Sequence, residues 1–252
     1  MSGLMASKVR LYVDHPLGPG QTVPLDAAQA HYLFGVMRLA VGAVVSLFNG
    51  RDGEWDAAVA QAGKRGGVLA VGVQTLPLVL PPDLWLCFAP LKKARTDFVV
   101  EKAVEMGVAR IMPVLTEFTH AEKLRGDKVR AHVIEAAEQC GATCVPDVAE
   151  VVKLSRLLDQ WPEGRQIMFC DEGLRGVPAG LLGTVSGTNP GGGPGPWAIL
   201  IGPEGGFSPA ERDRLRSLPH AHPISLGPRI LRADTAAVAA MTLWQITLGD
   251  WR

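Results

Sequence analysis

The chain has 252 residues, enough for one large domain or two small ones, and 47% of them are hydrophobic, ample for a packed core. Lys plus Arg and Asp plus Glu number 25 each, so net charge gives no sign of a nucleic-acid partner and any basic surface must be local. The four cysteines, Cys87, Cys140, Cys144 and Cys170, form no C-x-x-C pair, which argues against a metal site or a disulfide framework. The first residues lack a basic segment followed by an apolar run, and no apolar run reaches membrane-spanning length. The expectation is a cytoplasmic protein without membrane contact.

In chain order, residues 9–13 read as a strand. Residues 25–33 read as a helix capped by Asp26 that continues towards Leu39. Strands follow at 44–48, 54–60 and 68–75, with Asn49-Gly50 as a turn; short strands with Asn-Gly and Gly-Gly turns suggest a small β-barrel. The Pro- and Leu-rich stretch 76–82 marks a boundary, giving domains 1–76 and 77–252. Beyond it, a strand at 84–89 leads into a loop carrying Lys92, Lys93 and Arg95, the densest basic cluster in the chain. A helix over 97–106 closes at Gly107, with Phe98, Val99, Ala103 and Met106 on its apolar face. A strand at 110–115 precedes a helix that starts at Asp127 and runs through Gln139, with Val129, Val133, Ala136 and Cys140 on one face. A strand at 167–170 ends at Asp171-Glu172, and residues 187–196, rich in Gly and Pro, read as a mobile surface loop. Strands alternating with helices over 84–248 call for a parallel α/β sheet.

Two glycine-containing loops organise the second half. Residues 198–201 form a short apolar strand that stops at Gly202-Pro203 and is followed by Glu204-Gly205-Gly206-Phe207. Ser208, Pro209 and Glu211 then supply an N-cap, an N1 proline and a capping box for a helix. Residues 223–226 form a second strand broken by Gly227-Pro228. Arg229 and Arg232 lie in its loop, and Asp234 or Thr235 caps a helix over 236–248 that is apolar on nearly every face. Strand-to-helix turns at the carboxyl ends of neighbouring strands are where open α/β sheets bind ligands, and glycines there let backbone amides approach closely. Neither loop is a G-x-x-x-x-G-K-[ST] or a G-x-G-x-x-G after a strand, so a P-loop and an ordinary dinucleotide fold are disfavoured. Purely structural Gly-Pro turns remain the alternative on spacing alone.

The runs 200–208 and 225–232 together resemble the signature of the ribosomal RNA small subunit methyltransferase E family, of the SPOUT class. His31-Tyr32-Leu33, Val36-Met37-Arg38-Leu39, Thr116-Glu117-Phe118-Thr119 and Ala136-Ala137-Glu138-Gln139-Cys140-Gly141 extend the resemblance along the chain. It implies an N-terminal PUA-like β-barrel that binds RNA and a C-terminal SPOUT α/β domain with a trefoil knot. It also implies a homodimer and S-adenosyl-L-methionine as methyl donor to N3 of a uridine in 16S rRNA (m3U1498) of the small ribosomal subunit. Cofactor contacts would fall at Leu200, Ile201, Gly202, Pro203, Glu204, Gly205, Gly206, Leu226, Gly227, Ile230, Leu231 and Thr235. RNA contacts would fall at Arg38, Arg51, Lys92, Lys93, Arg95 and Arg229. Arg232 is the expected donor to charge on the uracil oxygens, with Glu204 or Asp234 taking the proton or orienting Arg232. The family often has Glu where this chain has Asp234, and Arg where it has Ala142; an Arg common near Phe118 is missing. Two other readings are an α/β enzyme for a phosphorylated metabolite and a non-enzymatic ribosome-assembly factor.

Overall fold

The structure is a computed structural model that describes residues 9–120, 124–175 and 195–251. The chain packs as two compact units, one reaching Leu80 and including Ala137–Val145, the other comprising Pro81–Ala136 and the chain from Pro146 onward.

In the first unit, β1 (Arg10–Tyr12), β2 (Thr22–Leu25), β3 (Val44–Phe48), β4 (Glu54–Gly63) and β5 (Gly66–Leu76) form a five-stranded sheet in the order β1-β3-β4-β5-β2. Only β1 and β3 are parallel; the other neighbours are antiparallel. Their inward residues Val23, Val45, Leu47, Ala57, Val59, Leu69 and Val71 bury against Leu33 and Ala30. The Asp26 cap forms as expected: its carboxylate accepts from Gln29 N at 2.8 Å, and Gln29 Oε1 accepts from Asp26 N at 3.1 Å. The helix it opens is short. α1 spans Ala27–Ala30 and passes into a π-helical turn over His31–Val36, and Arg38 then takes φ 55°, which ends the helix before Leu39. Leu25 belongs to β2 instead. The β4–β5 hairpin runs further than its alternation suggested, because 60–65 are exposed on both faces and carry no pattern to read.

Arg10 ties this unit together. Its Nε donates to Glu54 at 2.6 Å, Nη1 to the carbonyls of Ala137 and Glu138 at 2.6 and 2.9 Å, and Nη2 to Ala142 O at 3.0 Å. Its guanidinium also lies over the Phe48 ring, 4.4 Å from the centroid. A planar fork serving four acceptors cannot be replaced by an ammonium. Arg10→Ala should cost about 3 kcal/mol, because it leaves the nearly buried Glu54 unpaired. Thermal melting should fall by roughly 5–10 °C, and Arg10→Lys should recover less than half of the loss.

The second unit is a parallel sheet: β6 (Leu84–Phe88), β7 (Arg110–Leu115), β8 (Asp147–Val148), β9 (Val152–Lys153), β10 (Gln166–Cys170), β11 (Trp197–Ile201) and β12 (Ala221–Ile224). Its order is β12-β10-β11-β6-β7-β8, with β9 on β7, and every pairing is parallel. The expected strands at 84, 110, 167 and 198 are all present. β11 is buried at every residue, as a strand covered on both faces must be. The helices are α2 (Lys93–Glu105), α3 (Gly126–Cys140), α4 (Leu154–Asp159), α5 (Pro209–Ser217) and α6 (Ala233–Thr247).

Several boundaries differ from expectation. α2 begins four residues before Asp97, with Lys92 at its cap and no side-chain capping bond, so Lys93 and Arg95 stand in a helical turn rather than a loop. Phe98 is 40% exposed and Cys140 is also exposed, so neither joins the apolar face predicted for it. Gly107 closes α2 as expected, at φ 71°. The strand expected at 223–226 lies at Ala221–Ile224. α6 starts at Ala233 with Arg232 as its cap, ahead of the Asp234 or Thr235 cap that its composition suggested. α6 is buried along one face, at Ala237, Ala240, Met241, Trp244 and Gln245, while Ile246 on the other is exposed. Gln245 is buried yet satisfied: Nε2 donates to Met106 O at 2.6 Å, and Oε1 accepts from Asp250 N at 3.0 Å. The glycine-rich stretch 187–196 lies mostly outside the described residues. Among the described residues, no helix is long and apolar enough to cross a membrane.

Candidate functional site

The sheet order puts β10 between β12 and β11, so the turns that leave these three strands emerge side by side at one edge. The turn after β11 is closed by Gly206 N donating to Pro203 O at 2.9 Å, with Gly206 at φ 70°. It folds so tightly that a Cβ on Gly202 would lie 2.8 Å from the buried Phe207 ring. Ser208 and Glu211 then form the expected capping box of α5, with bonds of 3.2 and 3.0 Å, and Pro209 opens the helix. In the turn after β12, Ser225 Oγ accepts from Gly227 N at 3.2 Å, and Gly227 adopts φ 111°.

The turn after β10 supplies the third wall. The Asp171 side chain is fully buried; Arg216 donates to its Oδ2 from Nε and Nη2 at 2.9 and 2.5 Å, and Arg212 lies 3.4 Å from Oδ1. Asp171 Oδ1 also accepts from Gly173 N at 2.9 Å, so its charge is compensated on every side. Glu172 pairs with Arg212 and accepts a long bond from Phe207 N at 3.4 Å, joining this turn to the first. Burial pushes the Cys170 thiol up to about 12, so at neutral pH it is a protonated, apolar group at the pocket floor.

The pocket between these turns is lined from the first by Ile201, Gly202, Pro203, Glu204 and Gly206, and from the second by Ser225, Leu226, Gly227, Arg229, Ile230 and Leu231. Cys170, Asp171, Glu172 and Arg175 line it from the third, and Ala233 and Ala236 of α6 complete it. Most of the residues expected to contact a cofactor therefore converge. Three do not line it: Leu200 is 2% exposed and packs in the core with Phe169 and Phe207, Thr235 is exposed, and Gly205 faces a different cavity. Arg229, expected at the RNA, lines this pocket.

The residues expected to do chemistry are arranged differently from the expectation. Glu204 and Asp234 meet at Arg95, whose Nη1 donates to Glu204 Oε1 at 3.0 Å and whose Nε lies 3.8 Å from Asp234 Oδ2. Arg232, at the cap of α6, is exposed, does not line the pocket and has no ion pair among the described residues. In the other unit, Arg38 is exposed on its left-handed bend, and Arg51 forms an exposed pair with Asp14 at 3.4 Å. Lys92 and Lys93 stand at the start of α2. Sequence reasoning missed Arg175, Ser225 and the Arg212–Arg216 clamp on Asp171. The four-residue spacing of Arg212 and Arg216 on one helix face was the signal available for that clamp.

Comparison with known proteins accords with this geometry. Residues 79–245 match the RNA methyltransferase domain, and residues 25–71 match the RNA methyltransferase PUA domain. The chain is 28% identical over 233 residues to ribosomal RNA small subunit methyltransferase E of Rickettsia conorii, covering 92% of this chain and 93% of that protein. It superposes with a TM-score of 0.83 on ribosomal RNA small subunit methyltransferase E from Neisseria gonorrhoeae, solved bound to S-adenosylmethionine, at 27% identity with 97% and 99% coverage. A protein from Legionella pneumophila, solved in complex with the same cofactor, gives a TM-score of 0.82 at 29% identity, with 96% and 98% coverage. The fold is thus a PUA-like domain followed by a SPOUT methyltransferase domain, and this protein belongs to the RNA methyltransferase domain family.

Proposed function

We propose that this protein transfers a methyl group from S-adenosyl-L-methionine to N3 of a uridine in 16S rRNA, giving m3U1498, during maturation of the small ribosomal subunit in the cytoplasm. The observation that carries the reading is the convergence of three strand-end turns on one pocket, with Gly206 in a backbone conformation that a side chain would disturb. The lining suits the cofactor: Ile201, Leu226, Ile230 and Leu231 offer apolar surface for an adenine, and Glu172 and Glu204 offer carboxylates to a cation. Backbone groups of 201–206 and 226–231 are the proposed cofactor contacts. When bound, S-adenosylmethionine supplies an activated methyl on a sulfonium, so alignment is the main catalytic demand.

The chain's own residues must present N3 in line, and the N3–H bond breaks, its proton passing to water, before or as the bond from N3 to the methyl carbon forms and the carbon–sulfur bond breaks. N3 faces its pairing partner in a duplex, so the base must be unpaired or extruded. Arg232 is the proposed donor to negative charge developing on the uracil oxygens. Glu204 and Asp234 hold Arg95 between them, and we assign them a positioning role at the mouth of the pocket. Arg38, Arg51, Lys92, Lys93, Arg95 and Arg229 are the proposed RNA contacts, which position the substrate without reading its sequence. A trefoil knot and a homodimer belong to the same reading; the exposed Phe98 and Ile246 provide apolar surface for a second copy.

Mass spectrometry of 16S rRNA tests the reading. A strain lacking this gene should carry an unmodified uridine at that position, and the purified protein with S-adenosylmethionine should restore the methyl group. An rRNA fully methylated in the deletion strain would refute it.

A further inference from the structure

A second cavity, of about 580 Å³, lies on the other side of the first turn. Its described lining comes from the start of α2, from Phe118 and His120 after β7, from the start of α3 and from the turn after β11, and among these residues the charge is lopsided. Lys92, Lys93, Arg125 and Lys128 line it against two acids, Asp97 and Glu204. Asp97 is committed to Lys93 at 3.1 Å and lies 3.6 Å from His132. Among the described residues, Arg125 is paired only with the exposed Asp127, an interaction that water screens. Lys92 and Lys128 have no ion pair among the described residues. Phe118, 36% exposed, also lines the cavity, set against Gly205, whose missing side chain lets the ring approach the turn: a Cβ there would lie 3.2 Å from Phe118 Cβ.

We propose that this cavity cradles the single-stranded RNA flanking the methylated nucleotide, with a base stacked on Phe118 and its phosphates held by Lys92, Arg125 and Lys128. The proposal rests on the RNA-methylation reading and adds residues to it that the sequence did not mark. An aromatic face amid spaced cations is how proteins hold single strands without reading sequence, the ring taking a base and the cations the backbone. A bare phosphate would need the cations but neither the ring nor this volume. Glu204 lines both cavities, and Gly205 and Gly206 face one each. The cradle therefore shares the turn after β11 with the pocket proposed for the methyl donor.

The test is fluorescence anisotropy with a short fluorescein-labelled single-stranded RNA, without cofactor, on the full chain. Phe118→Ala should weaken binding about tenfold, and Phe118→Tyr should restore it. Lys128→Ala should lower the slope of log affinity against log salt by roughly 0.7, the loss of one phosphate contact. Melting curves matching wild type would show that the variants are folded. Calorimetry with S-adenosylmethionine is run separately: a wild-type protein that takes up no cofactor would sink the methylation reading, while the RNA titration still decides the cradle. Equal affinities and salt slopes in wild type and variants, or no RNA binding by wild type, would overturn the cradle whatever the cofactor titration gives.

Discussion

Replacing Gly206 with valine is expected to remove measurable S-adenosylmethionine binding in a calorimetric titration. Gly206 sits at φ 70°, where a side chain costs about 1–2 kcal/mol and a β-branched one more. A Cβ there would also collide with the Glu172 carboxylate. That carboxylate is not free to swing aside, since it pairs with Arg212 and accepts from Phe207 N. Moving it would loosen the link between the first and third walls of the pocket. Strain and lost linkage together should exceed 2.8 kcal/mol, about a hundredfold in affinity. Gly206→Ala should show a smaller loss, because the same strain and collision act without the β-branch. Wild-type affinity in Gly206→Val would show that the turn does not hold the cofactor.

Arg232→Ala should lower the methylation rate by at least a hundredfold while leaving cofactor affinity within about tenfold, or 1.4 kcal/mol. The choice of Arg232 over Arg95 rests on who already holds each cation. Arg95 is engaged by Glu204 and Asp234, whereas Arg232 is exposed and without an ion pair among the described residues. A guanidinium that stabilises charge only as the uracil reacts adds little to ground-state cofactor binding, so rate and affinity should separate. Arg232→Lys should remain well below wild type, because an ammonium does not reproduce the planar fork. Methylation near the wild-type rate in Arg232→Ala would remove Arg232 from the reaction.

What could be read from the sequence was what local chemistry decides. Ser208, Pro209 and Glu211 encode the start of α5 in four residues, and the structure forms that box. The apolar run of β11 and the Gly-Pro stop after it likewise carry their own signal. α2 and α6 start earlier than expected because neither start has a side-chain cap: Lys92 and Arg232 occupy the cap positions without a capping bond. β2, β8 and β9 are two to four residues long, too short for a periodic pattern. The link between Arg95 and Glu204 spans 109 residues, and only the parallel sheet brings them together. The second cavity was invisible for the same reason, since its walls come from α2, α3 and two loops that are distant in sequence.

The most direct test of the central claim is a crystal structure of this protein with S-adenosylmethionine. Density is expected between the turns after β10, β11 and β12, against Gly206, Leu226 and Leu231, with the methyl facing out towards Arg232. Density in the cavity beside Phe118, or anywhere other than between those three turns, would contradict the account.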